Sequence, residues 1–378
     1  MASTTAVRRL QQIQRNLTSS ASESSYKKKF RIAVVGSGNW GTAVAKLVAE
    51  NAAEKGQFFE REVRMWVREE SVHGRNLTEI INSEHENVRY LPQVTLPTNL
   101  VADPNLQNVA KNADIIVINI PHQFLKSVAD QLKGIDYSKK VAISCLKGID
   151  VTPNGPKLLS DFIHQHLGLH CGVLSGANIA SEVAREKFSE TTVAFPVAPN
   201  YEQGEPDAPL MKELFQRPYF HVQMSDDTAG VSIGGALKNV IALGAGLVEG
   251  AGWGDNAKAA VMRRGLIEMS QFAADYFPSF RPETISTTSA GVADLITSCA
   301  GGRNLKVGRE FARSGKSIKQ IEADLLNGQS AQGLVTAEEV YELLTKQNRL
   351  EEFPLMVTIY DIINNGLPIS ELPNRIRE

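Results

Sequence analysis

One lysine interrupts a twenty-residue apolar stretch of this chain. From Ala229 to Val248 the sole charged side chain is Lys238, within Gly234-Gly235-Ala236-Leu237-Lys238-Asn239-Val240. The stretch is as long as a membrane span, yet five glycines and a mid-run charge, costly in lipid, read instead as a buried helix of a soluble protein. A lysine there must be paired or functional, because isolated buried charge is expensive. Burial also pulls a lysine pKa down, toward values that suit proton transfer near neutral pH. The bland alternative is a lysine that snorkels to the surface. Asp294 lies among apolar neighbours in Gly291-Val292-Ala293-Asp294-Leu295-Ile296-Thr297-Ser298, a candidate partner for a buried cation. Ser298 follows four residues later, on the same face if the segment is helical. Then Gly301-Gly302-Arg303-Asn304 frees backbone around a guanidinium, a group that grips phosphate with two parallel hydrogen bonds. A helix end with a surface arginine is the competing reading.

A second constellation sits near the start. Ile32-Ala33-Val34-Val35 suits a buried parallel strand, Gly36-Ser37-Gly38-Asn39-Trp40-Gly41 carries glycines in the G-x-G-x-x-G spacing, and Thr42 to Ala49 read as a helix. In that strand–turn–helix context the motif points to a dinucleotide. The first glycine permits the tight turn, the second lets a pyrophosphate approach the backbone, and the third brings helix and strand together. The helix N-terminus offers unpaired N–H groups to phosphate. An ordinary glycine-rich turn is the alternative.

The elements that must position these residues follow in order. Val63 to Val67 read as a second strand, whose end meets the adenosine ribose in a dinucleotide fold. Arg68, Glu69 and Glu70 there are a mixed signal: an acid favours NAD, an arginine can hold a 2′-phosphate, and all three also suit a charged loop. Asp114 to Ile120 form an apolar strand stopped by Pro121 and followed by His122-Gln123-Phe124. Val141 to Leu146 end at Lys147-Gly148, and Val173 to Ser175 end at Gly176-Ala177-Asn178-Ile179-Ala180. Strands alternating with helical segments imply a doubly wound, mostly parallel α/β sheet with helices on both faces. Ligands of such sheets sit beyond the carboxyl ends of the strands, where Phe124, Lys147 and Ala180 fall. Thr191 to Val197 and Phe220 to Met224 are the last strands expected. From Asp227 onward the pattern is helical, with turn signals near Trp253, Pro278 and Gly301. The expected organisation is therefore an N-terminal tail or targeting segment over 1–29, a Rossmann-like domain over 30–226 and an all-α domain over 227–378.

Totals set the class. With 378 residues, 42% apolar and 22% charged, the composition is that of a soluble globular protein of two domains. A net charge of -2 gives no global attraction to nucleic acid or anionic membrane. Cys145, Cys171 and Cys299 are scattered and odd in number, which fits a reducing compartment and no disulfide framework. His164, His166 and His170 lack Cys or carboxylate support and read as a solvated helix end, so no metal is expected. The first 29 residues carry Arg8, Arg9 and Arg15, six serines and no acid before Glu23. That is a disordered tail or an import address. Arg9 to Leu17 resemble an N-terminal peroxisomal signal except at Asn16, where His or Gln is expected.

The stretches GSGNWGTA, Pro121-His122-Gln123-Phe124, SCLKG, SGANIASE, GALKNV, GVADLIT, GGRN and LNGQSAQG occur in one order. From Phe30 to its C-terminus the chain resembles the eukaryotic NAD-dependent glycerol-3-phosphate dehydrogenases. The resemblance implies reversible hydride transfer between NADH and dihydroxyacetone phosphate, giving glycerol 3-phosphate for glycerol and glycerolipid synthesis and reoxidising cytosolic NADH. It implies NAD as cofactor, a small-molecule substrate, a homodimer and a cytoplasmic setting. It places Gly36, Ser37, Gly38, Asn39, Trp40 and Gly41 around the pyrophosphate, and Phe124 and Ala180 along the nicotinamide. Lys147 and Lys238 face the substrate oxygen, with Lys238 as general acid/base and Asp294 tuning it. Arg303 and Asn304 grip the substrate phosphate with Asn239 and Ser298 assisting. Lys147 and Arg303 also border the cofactor, and Gln332 meets it from a flexible polar loop, Asn327 to Gly333. Two positions depart from the family pattern: Ser298 where Thr is usual, and Arg68 where Phe is often found. Rival classes are a cofactor-sensing binding protein without turnover, which would lose the lysine or the arginine that this chain keeps, and an enzyme for a different phosphorylated or acidic 2-hydroxy compound.

Overall fold

A computed structural model describes residues 26–152, 155–198, 201–326 and 331–377. Eight strands form one sheet: β1 (Phe30–Val35), β2 (Phe59–Trp66), β3 (Leu100–Asp103), β4 (Ile115–Ile118), β5 (Val141–Ser144), β6 (His170–Ser175), β7 (Ser189–Ala194) and β8 (Phe220–Ser225). Their spatial order is β8-β7-β6-β5-β4-β1-β2-β3. Pairing is parallel from β3 through β6. β7 then runs antiparallel to β6, and β8 parallel to β7.

Alternation along the strands explains why both faces are covered. In β1, Ile32 and Val34 join Val44, Leu47 and Val48 of helix α1 (Asn39–Glu54) on one face. Ala33 and Val35 turn to the other face, against Leu106, Val109, Leu125 and Ile163. β3 escapes prediction because four residues carry too little period to register. β2 begins four residues earlier than its apolar pattern, at Phe59, because Glu60, Arg61 and Glu62 are exposed at the sheet's border.

After β8 the chain is helical. The elements that matter for the site are α2 (Thr228–Gly250), α3 (Gly254–Tyr276), α4 (Asp294–Gly301), α5 (Arg303–Ser314), α6 (Gln332–Lys346) and α7 (Pro354–Asn364). Asp227 caps α2 by accepting from Gly230 N at 2.8 Å and also accepts from Arg281 N at 3.0 Å. α2 is long and apolar enough to cross a membrane, yet its apolar window is wholly enclosed by protein. Its surroundings are the other helices, which form a separate core with Leu243, Leu247, Leu305 and Ile359. Glycines let α5 approach closely: a Cβ on Gly246 would lie 2.3 Å from Leu305 O, and one on Gly308 2.3 Å from Leu243 O. That contact sets the first turn of α5 beside the middle of α2.

The body starts before Phe30. Tyr26 donates to Asp207 Oδ1 at 2.5 Å and packs edge-on against Phe30 and Phe58. Lys28 pairs with Asp114 at 2.8 Å. The import-like stretch Arg9 to Leu17 lies outside the described residues. A chain beginning at Phe30 should therefore melt a few degrees below one beginning at Tyr26. Two aromatic contacts and one hydrogen bond together are worth about 1–4 kcal/mol. Equal melting temperatures of the two chains would show that these contacts contribute nothing.

Candidate active site

The strand order reverses at β1, which has β2 on one side and β4 on the other, so the crevice of this fold opens beyond their carboxyl ends. The glycine turn occupies that point. Gly36 has φ +114°, and a Cβ there would sit 2.2 Å from Asn119 O at the end of β4. A Cβ on Gly41 would meet Gly36 O at 2.3 Å, so at this point α1 and the turn meet with no room for a side chain. Gly38 differs: a Cβ would find nothing within 4 Å, leaving its face open. Gly38 precedes α1, whose N-terminus has no side-chain cap. The turn is braced from behind, since Ser37 O accepts from Thr42 Oγ1 at 2.9 Å and from Asn87 Nδ2 at 3.0 Å. Asn39 is exposed, whereas the Trp40 ring packs on Phe220. Asn119 Nδ2 is buried with no hydrogen-bond partner. An open glycine face, free helix N–H groups and an unsatisfied amide form a cradle suited to a pyrophosphate and its nucleoside.

Deeper in, three elements converge on one carboxylate. Lys238 Nζ, from the middle of α2, lies 2.5 Å from Asp294 Oδ1 and 2.6 Å from Ser298 Oγ. Lys147 Nζ, three residues past the end of β5, lies 2.7 Å from Asp294 Oδ2. Asp294 and Ser298 stand one turn apart on α4, which lets them share Lys238. Lys238 is 5% exposed and Asp294 2%, so the snorkelling alternative does not hold. The Lys147 side chain retains 27% exposure, placing it nearer the mouth. Burial, and then the charge of Lys147, pull the Lys238 ammonium down to about 8 against the opposing pull of Asp294. Two ammonium groups share one carboxylate, so the cluster holds an excess of positive charge. Such a cluster suits an oxygen that becomes negative during reaction.

The remaining expected residues border this cluster. Asn304 Nδ2 donates to Asn239 Oδ1 at 2.9 Å, and Asn304 Oδ1 accepts from Gly333 N at 2.9 Å. Asn239 Nδ2 also donates to Gly235 O at 3.2 Å. Each amide nitrogen keeps a second N–H for a ligand. Arg303 is exposed in the first turn of α5, after Gly302, where helix dipole and guanidinium both favour an anion. Phe124 is 49% exposed just past β4, and Ala180 and Trp40 pack against one small cluster that includes Ala43 of α1. Gln332 opens α6, and its Nε2 lies 2.9 Å from His122 Nδ1. Residues 327–330 of the expected polar loop lie outside the described residues.

Some residues escaped sequence reasoning. Ser175 Oγ, at the end of β6, is buried without a partner and abuts Gly235 of α2. Asn119 and His122 flank the crevice, yet neither carried a chemical signal by type alone. The glutamates after β2 proved to be engaged elsewhere. Glu69 takes Thr78 Oγ1 at 2.5 Å and Thr78 N at 3.3 Å, and Glu70 takes the Tyr90 hydroxyl at 2.6 Å. Arg68 is exposed, with no side-chain partner among the described residues. His164, His166 and His170 each spend a ring nitrogen on a backbone carbonyl. Burial pushes the thiols of Cys145 and Cys299 up to about 12, which keeps them unreactive.

Two family models cover most of the chain. One described as NAD-dependent glycerol-3-phosphate dehydrogenase N-terminus matches residues 31–200, and its C-terminus counterpart matches residues 227–374. The chain is 57% identical over 376 residues to glycerol-3-phosphate dehydrogenase [NAD(+)] 1 of Yarrowia lipolytica, covering 97% of this chain and 94% of that protein. It is 54% identical over 363 residues to the namesake of Saccharomyces cerevisiae, covering 96% and 93%. Among solved structures, glycerol-3-phosphate dehydrogenase of S. cerevisiae superposes with a TM-score of 0.88 at 54% identity, over 93% of this chain and all of that one. The Plasmodium falciparum enzyme does so with 0.85 at 37% identity, over 93% and 96%.

The glycines separate folding from binding. Gly36→Ala should destabilise the protein, by roughly 1–3 kcal/mol or more, because its backbone is left-handed and its Cβ meets a carbonyl. Gly38→Ala should leave the melting temperature nearly unchanged and weaken NADH binding, measured by fluorescence titration. Unaltered NADH affinity in Gly38→Ala would show that the open face holds no cofactor.

Proposed function

The chain belongs to the NAD-dependent glycerol-3-phosphate dehydrogenase family, and from that premise we propose how its residues divide the reaction. It is an NAD-dependent oxidoreductase that acts on a CH–OH group, converting glycerol 3-phosphate and dihydroxyacetone phosphate into one another. Bound NADH supplies the hydride to the carbonyl carbon. Lys238 gives its ammonium proton to the carbonyl oxygen as charge grows there, and is left as a neutral amine. Lys147 keeps its charge beside the same oxygen and steadies it. Asp294 orients both lysines and stays ionised. Ser298 holds the Lys238 amine from the other side. In the oxidising direction neutral Lys238 takes the hydroxyl proton as hydride leaves.

Arg303, the N–H groups at the start of α5 and the spare N–H groups of Asn239 and Asn304 hold the phosphate. That remote grip fixes the carbonyl over the lysines, so binding energy is converted into orientation. The observation that carries this reading is the single buried carboxylate shared by two lysines, with the arginine-bearing start of α5 beside it. A homodimer and a cytoplasmic setting are part of the proposal and rest on resemblance. A monomeric mass in light scattering would overturn the first, and an organellar signal from residues 1–29 fused to a reporter the second.

Lys238→Ala should lower kcat by roughly 10²–10⁴-fold while NADH affinity changes little. Near-normal turnover would make Lys238 a structural lysine and sink the mechanism. The pH dependence has a definite sign. Reduction needs the ammonium, so its kcat/KM should fall as pH rises through about 8, whereas oxidation needs the amine and its kcat/KM should rise over the same interval. A reduction rate flat across that interval would exclude Lys238 as the proton donor.

Cofactor choice turns on Arg68. With Glu69 and Glu70 held by Thr78 and Tyr90, the guanidinium is the group at the end of β2 without a side-chain partner among the described residues. At an exposed site its attraction for a 2′-phosphate is small and screened by salt. NADH should stay preferred, with measurable use of NADPH, and Arg68→Phe should widen the ratio of kcat/KM for the two cofactors. An unchanged ratio in that variant would remove Arg68 from cofactor choice. Glu69→Ala is the poorer test, since it also strips Thr78 of its partner.

A further inference from the structure

His122 follows Pro121 at the end of β4 and is the meeting point of three segments that carry site residues. Its own turn continues to Phe124. Its Nδ1 is 2.9 Å from Gln332 Nε2, and its Nε2 is 3.7 Å from Glu339 Oε1. Gln332 and Glu339 are seven residues apart on α6, two helical turns, and so lie on one face of it. The third segment is the turn after β5. Gly148, next to Lys147, has φ +156°, and a Cβ there would stand 3.1 Å from His122 Nδ1. The imidazole, with its side chain 11% exposed, is thus wedged between α6 and the Lys147 turn.

The hydrogen-bond roles follow from the partners. With the amide nitrogen of Gln332 toward the ring, it donates to His122 Nδ1, and Nε2 is the ring nitrogen that faces the Glu339 carboxylate. Glu339 Oε2 is buried without a hydrogen-bond partner among the described residues, and its Oε1 faces the imidazole. With Gln332 Nε2 turned to the ring, its amide oxygen and second N–H are aimed away from His122. No hydrogen bond joins His122 to Lys147, Lys238 or Asp294 among the described residues, so the ring takes no direct part in proton transfer.

We propose that His122 is a positioning residue, whose ring fixes the amide of Gln332 and the spacing of α6 from the Lys147 turn so that the NAD-binding crevice is preformed. The proposal rests on the dehydrogenase reading for the role of Gln332 at the cofactor. In that role the ring acts on cofactor affinity more than on the chemical step. Loss of one such hydrogen bond changes an affinity by about tenfold, which is about 1.4 kcal/mol.

The test uses the full-length protein and measures NADH Kd by fluorescence, KM for NADH, kcat and melting temperature. His122→Ala should raise Kd and KM for NADH about tenfold, with kcat within about threefold of wild type. His122→Asn keeps an acceptor, its Oδ1, near the place of Nδ1 and should recover most of that loss. In a cycle with Gln332→Ala, the double variant should bind NADH no worse than the weaker single variant, since both remove one contact. Unchanged Kd in a folded His122→Ala chain, or strictly additive losses in the cycle, would overturn the proposal. If His122→Ala does not fold, the cycle is run with His122→Leu, which fills the space without the acceptor, and the same criteria apply. A wild type that binds NADH but does not reduce dihydroxyacetone phosphate would sink the dehydrogenase reading, while the Kd comparisons would still decide the role of His122.

Discussion

The structure depends on one buried carboxylate between two ammonium groups. Asp294 alone would carry an uncompensated negative charge in an apolar setting, and Lys238 alone an uncompensated positive one, each costing several kcal/mol. Together they are tolerated, and the second lysine tips the balance to net positive. Buried ion pairs are weak evidence for stability, because desolvation offsets most of the attraction. Their effect here is on arrangement. Lys147 comes from the sheet, whereas Lys238 and Asp294 come from two different helices, so the pairing is made only when the sheet and the helical half are docked. The charge excess and the site's location are two consequences of one contact, whereas burial is what lowers the Lys238 pKa against the pull of Asp294.

The rest of the architecture delivers groups to that contact from two directions. On the sheet side, reversal of strand order at β1 and β4 opens a crevice that only glycine can line closely, as the approach of Gly36 to Asn119 demonstrates. On the helical side, glycines in α2 and α5 let the backbones come together, which sets Asn304 against Asn239 and the start of α5 near Lys238. A larger side chain at either helix contact would move the start of α5 relative to the lysines. Orientation at this scale is where enzymes gain or lose orders of magnitude in rate.

Much of this was legible in the residues. The strand–glycine–helix run near Phe30, the charged residue in the apolar helix and the acid among apolar neighbours each break a local rule, and such breaks mark functional sites. The rest was not legible, for reasons of physics. β3 is too short to show a period, and β2 starts in charged residues because its first turn faces solvent. Glu69 and Glu70 read as acids suited to the ribose of NAD or to a charged loop, but each is bound to a partner that local sequence does not announce, Thr78 nine residues on and Tyr90 twenty residues on. His122 carried no signal, because what it touches lies 210 residues further along at Gln332.

The residues alone were enough for the fold class, the change from sheet to helix after residue 226, the strand–glycine–helix turn and a buried lysine with an acid able to pair with it. These follow from short-range facts: side-chain period, glycine's freedom at a turn, and the cost of burying a charge. Tertiary structure alone decided that Lys147 and Lys238 share Asp294, that Ser298 completes the grip, and that Arg68 stands apart from its neighbouring acids. Those are statements of distance between segments up to 147 residues apart. No local pattern encodes such distances, because they arise from how whole helices pack against a sheet.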